Sequence, residues 1–278
     1  MPRAGGRAPG QNLVRDDRVT RKCGRLFQPL RHSAHVAKWL VKHKIVTMPL
    51  LASDPHHWGP VPEVVDWLSS RLADIDAVLE IGPGHCPFKR ADTFVDFAPW
   101  PIPGVDPAKL VKCDIATEPL PFPDKSFNFV YCRHVLEDMW NPFHLIKEME
   151  RVGRSGYIET PSPIAELCRG VDGGAPPYRG YHHHRWVVWA TAADLRFVTK
   201  YPVVEYLGID GDRLASLLRH PRYWNTYYLW EDSIDVRHMQ SPLHYNIPTQ
   251  YTGLLNGAVQ YTLQETSAFF AEIEQKAA

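Results

Sequence analysis

The stretch VLEIGPGHCPFKRADTFVDF, residues 78–97, limits most strongly what this chain can fold into. An apolar run ends in an acid and a Gly-Pro-Gly turn, and a second apolar run ends in another acid. Neither run alternates polar with apolar residues, which predicts strands covered on both faces, as in a parallel sheet. AVLEI, TFVDF, KLVKCDI, SFNFVYC and GYIET give five such strands between residues 77 and 160.

Helical spacing separates or precedes them. In PEVVDWLSSRLADI, residues 62–75, Val64, Val65, Leu68, Leu72 and Ile75 recur behind Pro62. In NPFHLIKEMERV, residues 141–152, Asn141 is placed to cap, Pro142 opens the helix, and Phe143, Ile146 and Met149 share a face. The expected fold is α/β: a doubly wound, Rossmann-like, mostly parallel sheet with N-terminal helices and a C-terminal β-hairpin and helix region. A helix is expected at 31–46. Beyond residue 160, RWVVWATAADLRFVTK predicts two short strands around a turn, followed by a helix near 209–219. Trp224, Thr226, Tyr228 and Trp230, then Ile234, Val236 and His238 beyond the turn at 231–233, predict a hairpin. A long amphipathic helix is expected from Thr249 to Lys276. The domain expectation is a flexible basic tail at 1–30 and one domain at 31–278, with its core at 61–161 and acceptor-side elements at 162–278.

Composition excludes some classes. With 278 residues and 44% apolar content there is enough material for a core, and no window approaches the ~18 apolar residues of a membrane span. No apolar run follows the basic N-terminus, so a secretory signal is not expected. Five scattered cysteines, odd in number and without CxxC, suit a reduced, cytoplasmic setting. Net charge is zero but uneven: residues 1–50 carry eleven Lys/Arg against two Asp. That arm is either a solvated tail balancing an acidic body or a contact for nucleic acid or a membrane face.

Ligands of open α/β sheets sit outside the carboxyl ends of the strands. Glu80, Gly82 and Gly84 follow the first strand, Asp96 closes the second, Asp114 the third, and Cys132-Arg133-His134 the fourth. Acids there suit a ligand offering amine and hydroxyl donors, and repel phosphate. The dinucleotide fingerprint GxGxxG fails at Pro87, and no GK[ST] follows for a phosphate loop.

VLEIGPG, then VDF, then CDIATEPLPFPDKSFNFVYCRHVLEDMWNPFHLIKEMERV resembles the class I S-adenosylmethionine-dependent methyltransferases, in particular the type 11-like group. The resemblance covers residues 77–161. It implies that Glu80 and the backbone at Gly82 and Gly84 receive the methionine end. Asp96, with Phe97, takes the ribose, Asp114 accepts from the adenine amine with Ile115 against the ring, and Cys132 and His134 border the sulfonium. Two departures are visible. Only residues 85–95 separate Gly84 from Asp96, which leaves room for a single helical turn or none, and Asp138 stands where the family has a histidine. The implied function is methyl transfer to an O or N atom of an acceptor, most simply a small molecule. The alternatives are a catalytically inactive binding module and a nicotinamide-dependent enzyme.

His182, His183 and His184 follow the fifth strand. In a strand, neighbouring histidines point to opposite faces, and no Cys, His or carboxylate group stands at ligand spacing, so no metal is expected. His183 and His184, with His134, are instead candidates for a general base near an acceptor. Glu159 either faces that acceptor or serves its turn. The tryptophans and tyrosines between Trp186 and Trp230 are read as core, with some as a possible acceptor lid.

Overall fold

The computed structural model describes residues 59–97, 100–173, 177–240 and 247–277. Every described residue belongs to one compact unit, residues 45–278. The basic tail and the helix expected at 31–46 lie outside the described residues.

The apolar runs form β1 (Val78–Ile81), β2 (Thr93–Asp96), β3 (Leu110–Lys112), β4 (Phe127–Arg133) and β5 (Gly153–Pro161). All pair in parallel, in the order β3-β2-β1-β4-β5, and β8 (Asn225–Glu231) closes the sheet antiparallel to β5. Strand order reverses between β1 and β4, which places the binding crevice of such a sheet at their carboxyl ends.

Side chains alternate between two covered faces. Val78, Phe94, Phe129, Tyr131 and Tyr157 meet α1 (Pro62–Ser70) and the end of α5 (Ile247–Ala277). Leu79, Ile81, Val95, Val130 and Ile158 meet α2 (Pro142–Val152) and a second sheet. That second sheet is β6 (Trp186–Ala190), β7 (Leu195–Thr199) and β9 (Val236–His238). Its Trp186, Val188, Leu195 and Phe197 face the main sheet. Val187, Trp189 and Val198 pack with α3 (Pro163–Leu167), α4 (Gly211–Leu217) and the first half of α5.

Three expectations are corrected. α1 stops at Ser70 rather than Ile75. The following turn is stabilised by Ala73 N–H donating to the Asp76 carboxylate at 2.8 Å and by the Arg90 guanidinium, which bonds the Ala73 and Asp76 carbonyls, so Ile75 is exposed. Asn141 makes no side-chain cap, and Pro142 alone opens α2. β8 and β9 are not a hairpin: β8 belongs to the main sheet and β9 pairs in parallel with β7. After the turn, Ile234 N–H donates to Glu150 Oε1 at 2.6 Å and Leu195 N–H to the Asp235 carbonyl at 2.8 Å, which draws the chain onto the other sheet. Trp186, Trp189, Trp224, Tyr227 and Trp230 are buried core residues.

Candidate functional site

The site begins where β1 runs into its glycine turn. Gly82 and Gly84 adopt φ of +64° and +53°, a region open to glycine at little cost. Gly82 N–H donates to the Val95 carbonyl at 3.0 Å, locking the turn to β2. A Cβ on Gly82 would lie 2.5 Å from Val135 Cγ2, so the loop after β4 closes directly on the turn. No helix occupies residues 82–92, in line with the short segment in the sequence.

Glu80 is buried, and its Oε2 accepts from Phe88 N–H at 2.8 Å. Burial pushes its pKa up to about 8, against the opposing pull of that bond and of the Arg133 charge. It is opposite Phe94 in the register, and alternation along β2 puts Asp96 on the same face. The Asp96 carbonyl accepts from Cys113 N–H, tying the second strand end to the third. Phe97 is exposed. Asp114 lies at the surface, accepting from Thr117 Oγ1 at 2.7 Å and Ala116 N–H at 3.1 Å, and these bonds hold its carboxyl below the usual range. Ile115 and Cys132 are core side chains facing α2, and burial raises the Cys132 thiol well above its ordinary value.

A cavity of about 750 Å³ opens between α1, the 86–91 crossover and residues 104–109, lined by Phe88, Phe94 and Tyr131 among others. Glu80, Asp96 and Asp114 are not among the described residues that line it. The three carboxylates thus share the sheet rim but not this cavity.

At the end of β4, His134 adopts φ of +54° and its N–H donates to the Glu159 carbonyl at 2.8 Å. Its Nε2 is 3.0 Å from Asn225 Oδ1, and Asn225 Nδ2 donates to Glu159 Oε1 at 2.9 Å. Because the Asn225 amide nitrogen serves Glu159, its oxygen accepts from His134, which puts the proton on Nε2 and the lone pair on Nδ1. Burial, reinforced by the Arg133 charge, holds His134 below its usual pKa. Glu159 also accepts from Arg133 Nε at 2.8 Å and from the Tyr157 hydroxyl at 2.5 Å. Burial pushes its carboxyl up, but Arg133 and His134 outweigh that and the net shift is down. Glu159 therefore organises this end of the sheet.

His182–His184 sit in a turn, not a strand. The expectation that alternation would separate them is corrected accordingly. His184 Nδ1 bonds Glu166 Oε1 at 2.6 Å, and Glu166 Oε2 accepts from Lys200 Nζ at 2.5 Å. His182 Nδ1 lies 2.5 Å from Asp172 Oδ2. Burial lowers His184, but the Glu166, Glu137 and Asp138 carboxylates raise it further than burial depresses it. The fold also supplies the carboxylates that ligand spacing in the sequence did not reveal: Asp138 and Asp172 stand beside the triplet. Glu137 is buried with neither carboxylate oxygen hydrogen-bonded, and burial pushes it up to about 8.

Residues 92–158 match a family described as a methyltransferase domain. The mostly parallel sheet with helices on its faces is a Rossmann-like α/β fold. The match runs from the start of β2 through most of β5, so β1 and the glycine turn precede it. No curated protein matches the chain. Solved structures similar to this chain include the YcgJ protein from Bacillus subtilis, at 15% identity over 36% of this chain and 50% of that one, TM-score 0.27. An S-adenosylmethionine dependent methyltransferase from Mesorhizobium loti is similar at 17% identity over 37% of this chain and 57% of that one, TM-score 0.28. The chain spans about half the length of these solved chains.

Sequence reasoning missed Glu137, Glu166, Lys200 and Asn225. Glu137 carried a signal, an acid among apolar residues in HVLED. Glu166, Lys200 and Asn225 carried none, because only the packing of α3, β7 and β8 brings them to the strand ends.

Proposed function

We propose that this chain transfers a methyl group from S-adenosylmethionine to an O or N atom of a small-molecule acceptor. The observation that carries this reading is the rim at the switch point. Glu80 and Asp96 lie on one face of adjacent strands beside a glycine turn whose backbone is bare of side chains. Its support is the methyltransferase-domain match at 92–158. The donor chemistry fits the cofactor: a carboxylate for the ammonium, a second for the ribose diol, and Asp114 with Ile115 for adenine. When bound, the cofactor supplies an electrophilic methyl carbon on sulfur.

In this reading Glu80 and the Gly82–Gly84 amides hold the methionine end and Asp96, beside Phe97, fixes the ribose, with Cys132 packed beneath. The acceptor enters from the side of His134, His183 and His184. These side chains would align the acceptor's O or N lone pair with that methyl carbon, and alignment would supply much of the rate. For a hydroxyl acceptor, the leaving proton passes to Nδ1 of His134, whose Nε2–H is held by Asn225. A cytoplasmic setting belongs to the same reading, supported by four cysteines that are unpaired among the described residues. No helix among the described residues is long and apolar enough to cross a membrane.

Calorimetry with S-adenosylhomocysteine tests the reading. Saturable binding that weakens at least about tenfold in Asp96→Ala is the expected result, one good charge-assisted bond being worth ~1.4 kcal/mol or more. An intact fold that binds neither S-adenosylhomocysteine nor S-adenosylmethionine would end it and leave a binding module.

A further inference from the structure

Asp138, His183 and His184 form a cluster with the geometry of a metal site. Nε2 of His183 and Nε2 of His184 each lie 3.7 Å from one oxygen, Oδ1 of Asp138. The three candidate ligand atoms lie within 4.8 Å of one another. Around a tetrahedral ion with bonds near 2.1 Å, ligand atoms stand about 3.4 Å apart, so the set closes with small movements. His184 is oriented from behind. Its Nδ1 is held by buried Glu166, itself held by Lys200, which leaves the Nε2 lone pair for a ligand. A carboxylate gripping the far nitrogen is how metal-binding imidazoles are fixed. The other two side chains are half exposed, 50% for His183 and 45% for Asp138, so an ion has a way in.

A second observation points to the same place. Glu137, next to Asp138, is 1% exposed, and neither of its oxygens has a hydrogen-bond partner. Buried carboxyl groups are otherwise hydrogen-bonded, ion-paired or bound to a metal.

We propose that Asp138, His183 and His184 bind a divalent first-row transition cation of the zinc class. Two imidazoles and one carboxylate favour such an ion over magnesium or calcium, which prefer all-oxygen sites. Asp172, His182 and His183 form a competing trio. There, His182 is already bonded to Asp172 through Nδ1, and Asp172 makes that bond instead of standing unpaired. His183 serves one trio at a time, and the orphaned Glu137 favours the first. The ion would stand just beyond His134 along the chain after β4. Its use in orienting an acceptor rests on the methyl-transfer reading, but its binding does not.

The test uses the full chain, stripped with a chelator and titrated with ZnCl₂ by calorimetry and with CoCl₂ by visible absorption. Saturable zinc binding and cobalt ligand-field bands are expected. Asp138→Asn and His183→Ala alter exposed side chains, so the circular dichroism should be unchanged while zinc affinity falls at least about tenfold. Glu166→Gln should weaken binding through loss of orientation, by roughly tenfold. His182→Ala should leave affinity as it is. Absence of saturable zinc binding by the folded wild type overturns the proposal. So does a loss in His182→Ala as large as that in Asp138→Asn, which would assign the ion to the other trio. No cofactor is present in these titrations, so their failure is distinct from failure of the S-adenosylhomocysteine titration.

Discussion

Glu80 keeps its proton to about pH 8 in the folded chain, because burial outweighs its single backbone bond and the Arg133 charge. An exposed glutamate in the unfolded chain loses its proton near 4.5. Between these values the folded state binds more protons, so stability falls as pH rises from about 4.5 towards 8. At ~1.4 kcal/mol per unit, the loss attributable to Glu80 is up to about 5 kcal/mol. Urea denaturation at pH 5 and pH 8 should show a smaller decline in Glu80→Gln than in wild type, and parallel declines would refute the assignment. The same burial gives ligand binding a signature: an ammonium beside Glu80 favours the carboxylate, so S-adenosylhomocysteine binding near pH 7 should release a proton. Calorimetry in buffers of different ionisation enthalpy measures that directly, and identical heats across buffers would count against Glu80 as the ammonium's partner. Glu80, Asp96 and the glycine turn were legible in the sequence because they sit at the ends of contiguous apolar runs. Glu137 showed only as an acid among apolar residues and Glu166 not at all, since their surroundings depend on a turn that folds back from beyond β5.

Elements were legible where local chemistry decided them. Five parallel strands announced themselves by unbroken apolar character, and α2 by its proline and its 3.6-residue spacing. The failures were long-range. Alternation from Trp224 to His238 correctly marked two strands, but alternation carries no information about partners, and hydrogen bonds from Ile234 and Leu195 sent β9 to another sheet. One contact of α2 is similarly invisible in sequence and easily tested. The Arg151 guanidinium donates to the Leu120 and Phe122 carbonyls at 2.8 and 2.7 Å while pairing with Glu148 and Asp124. It fastens the 117–126 loop, which carries the turn capped by Asp114, to the helix. Arg151→Ala should cost about 2 kcal/mol in urea denaturation, because two carbonyls lose a charged donor. A change under about 0.5 kcal/mol would mean that water replaces the guanidinium without loss.

At the scale of the whole molecule, α5 runs along both halves of the described fold. Tyr251, Leu255 and Ala258 pack with α3 and the second sheet, whereas Phe270 and Ile273 pack beside Trp67 and Tyr227 against the main sheet. The halves should therefore unfold together. Phe270→Ala should remove roughly 3 kcal/mol or more, and near-ultraviolet and far-ultraviolet circular dichroism should report one shared, shifted midpoint. Separate midpoints would show that the two sheets are only loosely joined. The link between β8 and β9 adds to this union. Only residues 232–235 separate a strand of one sheet from a strand of the other. The outer strand of the main sheet begins at Asn225, which steadies both His134 and Glu159. A tether that short leaves almost no slack, so the smaller sheet cannot swing away from the main one without drawing on β8.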